Sequence, residues 1–308
     1  MPIFFTGLIL FFLGLEGNKT FLKQITASRI TTLLEILSGN FLLAIVTGII
    51  ITAVLQSSSA VSVILISLLE GKIIKLKPAT GILLGANIGT TVTIQIISLP
   101  ILSLYPYFIA IGILLAIYGA VLQHNKFKYT GFILLSFGAV FAGIQLMSAA
   151  FLGNSGKATL SRIIKSVDNK YTGIIVGTLL TALVQSSSIV SGTTLSLATN
   201  NLLGLSGAAA IALGSNVGTC VTAFLASWNC SAQARLLALI HLTFNLSGII
   251  LLLFFFDPFL NFVTLTSSQL TRQIANAHTL FNTFHLFIFA PLFLLYINRH
   301  GGDYIWKS

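Results

Sequence analysis

Two short stretches carry the side chains most able to do chemistry. Gln56-Ser57-Ser58-Ser59 and Gln185-Ser186-Ser187-Ser188 each set an amide and three hydroxyls into otherwise apolar sequence. A second pair follows, Gly85-Ala86-Asn87-Ile88-Gly89-Thr90-Thr91 and Gly214-Ser215-Asn216-Val217-Gly218-Thr219-Cys220. Hydroxyl and carboxamide oxygens are neutral donors for a hard cation. Where a helix begins after a Ser-rich turn, its first N–H groups carry about half a positive charge and attract anions. The chemistry on offer is ion binding without formal charge.

The acids and bases bound that reading. Glu16, Glu35, Glu70, Asp168, Asp257 and Asp303 are the six acidic residues, and none falls inside these stretches. An intramembrane carboxylate relay of the proton-pump kind is therefore not expected. A serine nucleophile would need a nearby base, and no His or Lys shares the four segments, so an enzyme is not expected. The two cysteines, Cys220 and Cys230, make no disulfide framework, and no metal-binding Cys/His spacing is present. His241 and His278 are expected to hydrogen-bond between helices, with proton coupling or phosphate contact as the alternative reading.

The elements that hold these residues belong to a membrane protein. Charged residues make up 7% of the chain and hydrophobic ones 56%, too little charge to cover a water-soluble surface of 308 residues. The net charge of +10 is scattered through short loops, as topology determinants and lipid headgroup contacts are, which argues against nucleic acid. Residues 3–16 read as a first apolar span, and Lys19 to Gly39 as an interfacial amphipathic helix. The arms 41–55 and 60–69 are each too short to cross a bilayer, so Gln-Ser-Ser-Ser reads as the tip of a re-entrant hairpin. Residues 78–99 read as a helix broken at 85–91, and 104–123 as an unbroken one.

The pattern then recurs at one offset. Gln185 follows Gln56 at an offset of 129 (185 − 56), and the same offset relates Gly214 to Gly85, Asn169 to Asn40, Gly177 to Gly48 and Thr181 to Thr52. A constant offset without gaps is an internal duplication. The expected fold is an all-α integral membrane protein of two inverted-topology repeats. Each repeat has a re-entrant helical hairpin (tips 56–59 and 185–188) and a broken transmembrane helix (85–91 and 214–220). The divisions are 1–131, 132–256, and a C-terminal loop and transmembrane helix at 257–308, with the span itself near 274–297. Three crossings per repeat, an odd number, invert the second copy. With the N-terminus outside and the C-terminus inside, eleven of the sixteen Lys and Arg face inward, as the positive-inside rule favours. Paired discontinuities in two halves are the sequence mark of a midplane site in secondary transporters.

At these motifs the chain resembles the sodium-dependent phosphate cotransporter family, the type II symporters and their bacterial relatives. The matching residues are Thr52-Ala-Val-Leu-Gln56-Ser-Ser-Ser59 with Gly85-Ala-Asn-Ile-Gly-Thr-Thr91, and Thr181-Ala-Leu-Val-Gln185-Ser-Ser-Ser188 with Gly214-Ser-Asn-Val-Gly-Thr219. His278-Thr-Leu-Phe-Asn282 extends the likeness into the last span. The resemblance implies sodium-coupled symport of inorganic phosphate across a plasma or bacterial inner membrane, with no organic cofactor. It implies substrate contacts at Gln56, Ser57, Ser58, Ser59, Gln185, Ser186, Ser187, Ser188, Asn87 and Asn216. Sodium is expected among Gln56, Ser57, Thr90, Thr91, Gln185, Ser186, Asn216 and Thr219. Partners are phosphate, sodium and lipid, and a homodimer is compatible. Cys220 stands where the first repeat has Thr91, and Ser215 where it has Ala86, so the halves are not equivalent ligand sets. The intramembrane aspartate of electrogenic members has no counterpart here, so electroneutral transport is expected. The rival readings are the same fold with another oxyanion or organic anion, and an anion channel.

Overall fold

The computed structural model describes residues 2–37, 40–99, 102–150 and 164–304, and among them the regular secondary structure is helical throughout. Lys157, Arg162, Lys307 and the Ser38-Gly39 end of the amphipathic stretch lie outside the described residues. In chain order the helices are α1 (Pro2–Leu37), α2 (Phe41–Leu55), α3 (Ser58–Glu70), α4 (Leu76–Ile97), α5 (Tyr105–Val121), α6 (Asn125–Ala149), α7 (Lys170–Val184), α8 (Ser187–Thr199), α9 (Leu205–Ser227), α10 (Ala232–Phe254), α11 (Phe256–Thr264) and α12 (Leu270–Tyr304). Among the described residues, six segments are long and apolar enough to cross a membrane: Pro2–Ile25, Leu76–Ile97, Asn125–Ala149, Leu205–Ser227, Ala232–Phe254 and Leu270–Ile297. The chain is a multi-pass membrane protein. α5, with 17 residues, rises only about 26 Å and falls just short of that length.

The duplication is visible in the element ends. α2 and α7 start and stop one repeat offset apart, as do α3 and α8. Their caps match as well. Asn40 and Asn169 each accept a backbone N–H from the first turn of α2 and α7, the role for which a short carboxamide is favoured.

Two expectations need correction. The helices expected to break at 85–91 and 214–220 are continuous: α4 and α9 run through both motifs. In the first motif the polar side chains turn back on their own helix. Asn87 Nδ2 donates to the Leu83 carbonyl (3.1 Å), Thr90 Oγ1 to Ala86 (2.9 Å) and Thr91 Oγ1 to Ile88 (2.8 Å), which satisfies them without unwinding. The expected division at residue 16 is also absent, because α1 is one helix of 36 residues, roughly 54 Å long.

The glycines of these motifs serve close packing. A methyl group on Gly48 would lie 2.0 Å from the Ile82 carbonyl oxygen, and one on Gly85 would lie 2.0 Å from that of Ile45. The second repeat reproduces this geometry at Gly177 on Ile211 (2.1 Å) and Gly214 on Ile174 (2.1 Å). Lipid tails are as apolar as Leu, so helix association in a bilayer rests on such backbone approach and not on burial from water. α2 is thereby fused along α4, and α7 along α9.

The two repeats also contact each other reciprocally. A methyl on Gly7 of α1 would meet the Gly143 carbonyl of α6, and one on Gly14 would meet that of Ser136, both at 2.7 Å. Ser136 and Gly143 are the repeat counterparts of Gly7 and Gly14, so the helices cross antiparallel and each uses the surface its counterpart uses. Likewise α3 packs on α9 while α8 packs on α4, so each hairpin reaches the other repeat's long helix.

Candidate functional site

The tips are tighter than the sequence implies. Only Gln56 and Ser57, and Gln185 and Ser186, stand outside the helices; Ser58, Ser59, Ser187 and Ser188 already belong to α3 and α8. Both glutamines adopt the left-handed conformation, Gln56 at φ 50°, ψ 32° and Gln185 at φ 55°, ψ 26°. For a residue with a side chain this backbone costs about 1–2 kcal/mol. Each Gln N–H closes the preceding arm by donating to Thr52 or Thr181, at 2.7 Å in both copies. The reversal lets the next arm start at once, so the first-turn N–H groups of α3 and α8 point out of the tip. That terminus, together with the hydroxyls, can hold an anion, and the glutamine carboxamide can serve a cation.

The tips differ in cover. Gln56 is 5% exposed and its Oε1 is buried without a hydrogen-bond partner, whereas Gln185 is exposed. Ser57 Oγ caps α3 by accepting from Ala60 N at 3.2 Å, while Ser186 makes no such bond to α8. Through the α3–α9 and α8–α4 contacts, each Ser-bearing tip helix is paired with the opposite repeat's helix carrying Asn216 and Thr219, or Asn87, Thr90 and Thr91. Among the described residues, the buried polar side chains are Asn, Gln, Ser, Thr and His, with no carboxylate.

The asparagines, equivalent by repeat, have different surroundings. Asn216 is held by α12, a helix without a counterpart in the duplication. His278 Nε2 lies 2.7 Å from Asn216 Oδ1, and because that oxygen can only accept, the ring nitrogen is the donor. Asn216 Nδ2 donates to Asn282 Oδ1 at 3.0 Å, and Asn282 Nδ2 returns to the His278 carbonyl. The expected interhelical role of His278 is thus present; that of His241 is not, since both its ring nitrogens lack a partner. Thr219 Oγ1 and Cys220 Sγ turn to the Asn216 carbonyl, at 2.6 and 3.5 Å.

Several contributors escaped the sequence reading. Arg272 Nη1 donates to the Gln95 carbonyl and to Ser98 Oγ, capping the end of α4, and Gln95 Nε2 donates to Asn276 and Thr279. Asn245 Nδ2 reaches Cys220 Sγ at 3.4 Å, and His285 pairs with Ser247. The signal was present as two stripes on α12, Arg272-Asn276-Thr279 and His278-Asn282-His285. Each recurs every third or fourth residue, as one helix face does.

Asn216 and Asn282 are expected to couple. Alanine at either leaves the other unmatched, so the double mutant should lose less than the two single losses added, by about 0.6–2 kcal/mol. Thermal unfolding in detergent of the four proteins measures this, and additive losses would show that the pair does not form.

The profile of the Na+/Pi-cotransporter family matches twice, over residues 10–149 and 150–290. YqeW of Bacillus subtilis is 31% identical over 94% of both chains. YjbB of Escherichia coli, whose name assigns it inorganic phosphate export, is 24% identical over 88% of this chain and 49% of its own length. The sodium-dependent phosphate transport protein 2B of Rattus norvegicus is 30% identical over 54% of this chain and 25% of its own. The chain therefore spans about half of YjbB and a quarter of the rat protein. No solved structure matches. With two profile matches that together span the chain and paired Gln-Ser-Ser-Ser tips, the protein belongs to the Na+/Pi-cotransporter family, whose members are membrane transporters and not enzymes.

Proposed function

We propose that the protein is a secondary transporter that moves inorganic phosphate together with sodium by alternating access. The observation that carries this is the duplicated tip, a left-handed glutamine followed by a helix N-terminus, occurring at Gln56 and again at Gln185. Phosphate oxygens would take the first-turn N–H groups and the hydroxyls of Ser57 to Ser59 and Ser186 to Ser188. Sodium would take neutral oxygens from among Gln56, Ser57, Thr90, Thr91, Gln185, Ser186, Asn216 and Thr219, so that ion and anion balance each other in a site without formal charge. The lack of a carboxylate among the described buried side chains favours sodium over a proton relay and supports electroneutral symport. The reciprocal crossing of α1 and α6 supports two inverted repeats, which makes outward and inward states near images of each other. The positive-inside count supports an outer N-terminus, so hairpin α2–α3 enters from inside and hairpin α7–α8 from outside.

The names of the relatives point to export in one case and sodium-dependent transport in the other, and one assay separates the schemes. Purified protein in liposomes should take up labelled phosphate under an inward sodium gradient and not under potassium. An evoked current that scales with voltage would sink electroneutrality, and phosphate flux indifferent to sodium would leave the channel reading standing.

A further inference from the structure

Three imidazoles are buried in the second half of the chain, and His278 and His285 have partners. His241 is 1% exposed, and neither ring nitrogen has a hydrogen-bond partner. An uncharged imidazole brings one N–H donor and one lone pair, and a dry interior tolerates neither unmet.

Its place in the fold is well fixed. Leu237, Ala238, His241, Phe244, Asn245 and Gly248 form the buried face of α10, with His241 at its centre. That helix packs on α3, α4 and α9. The register with α3 is set where the hairpin ends. Ser231 N donates to Glu70 Oε2 at 2.6 Å, a bond that also holds this exposed carboxyl below its ordinary pKa. From there α3 and α10 run side by side in opposite senses, with Val61, Leu65 and Leu69 in one cluster with Ala234, Leu237 and Ala238. Ten residues along each helix, roughly 15 Å, bring His241 level with Ala60, and one turn more brings Asn245 level with Gln56. Asn245 Oδ1 and Gln56 Oε1 are likewise buried without partners. Three unmatched polar groups, one a ring and two of them acceptors, therefore lie at the depth of the first tip.

We infer that His241, with Asn245, belongs to the ion site at the first tip, and that its ring selects an oxyanion that carries a proton. A side-chain rotation that brings one of the two unmatched carboxamide oxygens onto the ring takes up the single imidazole N–H. The other ring nitrogen then presents a lone pair, which accepts from a P–OH or As–OH group and repels the bare oxygens of sulfate. Hydrogen phosphate and arsenate fit; sulfate does not. The inference rests on the phosphate reading above and deepens it.

The test measures equilibrium binding of labelled phosphate to purified protein in sodium, with arsenate and sulfate as competitors, beside the melting temperature. His241→Leu removes the unmatched groups, so it should melt no lower than wild type while binding phosphate at least about ten-fold more weakly. Its preference for phosphate over sulfate should shrink by a similar factor. His241→Gln, which keeps an acceptor, should recover part of both, and His241→Phe serves as the apolar variant if Leu does not fold. A folded apolar variant with wild-type affinity and wild-type rejection of sulfate overturns the proposal. Sulfate competing as well as phosphate in wild type overturns the selectivity. If wild type binds no phosphate at all, it is the phosphate reading that fails.

Discussion

Alanine at Gln56 or Gln185 should lower sodium-driven phosphate uptake at least about ten-fold, and the two together should leave none. In the proposed scheme each glutamine acts in two ways, through its carboxamide as a ligand and through the left-handed backbone that shapes the tip. A carboxamide contact to a charged ligand, set at the strength of a hydrogen bond to one, is worth about 1.5–3 kcal/mol, which sets the ten-fold floor. Alanine also keeps the left-handed strain. Glycine separates the two effects, because it adopts this left-handed backbone without a Cβ penalty. Gln56→Gly and Gln185→Gly should therefore melt at or above the temperature of the alanine variants and still fail to transport. Uptake restored by glycine would show that only the turn matters. The variants need not be equal. Gln56 is covered and Gln185 exposed, so removing the buried carboxamide also deletes an unmatched Oε1 and should perturb folding less than its burial suggests.

The largest stability effect is expected at the seat of the hairpins. Gly48→Ala would place a carbon 2.0 Å from the Ile82 oxygen, and Gly177→Ala one 2.1 Å from that of Ile211. The obstacle is backbone, not a side chain that can swing away, so the helices must part. A loss of about 3 kcal/mol, the upper end for overpacking, is expected from either substitution, with lower yield of folded protein. Unfolding by heat or denaturant in detergent measures it. A change below about 0.5 kcal/mol, the range of substitutions that disturb no packing, would mean that α2 and α4 are not joined this way.

Much of this was legible in the primary sequence because the duplication repeats residue for residue. The ends of α2 and α7 follow from short apolar arms that stop at a polar tip, and the constant offset carries them from one half to the other; the starts of α3 and α8 fall two residues earlier than the four-residue motif suggests, because Ser58 and Ser187 already take helical backbone. The supposed breaks at Asn87 and Asn216 misled because Gly, Asn and Thr have two uses in a membrane. They can open a helix to water, or they can let helices touch while their polar atoms bond one turn back. Gly85 against Ile45 and Asn87 to Leu83 show the second use. The contribution of α12 was less visible because it has no second copy for comparison. Likewise nothing in the local spacing of His241 distinguishes it from His278. Their difference, one ring paired and the other not, arises only when helices far apart in the chain pack together.

α12 has a thermodynamic meaning beyond the bonds it makes. Two repeats related by a perfect two-fold axis would give outward and inward states the same free energy, and an empty carrier would divide its time equally between them. α12 bonds Gln95 at the far end of α4 in one half and Asn216 in the middle of α9 in the other, positions that are not images of each other. In the alternating-access scheme it cannot keep both sets equally well in both states. In that scheme this unduplicated helix would set the resting equilibrium of the unloaded protein, and with it how readily a given gradient would turn it toward uptake or release.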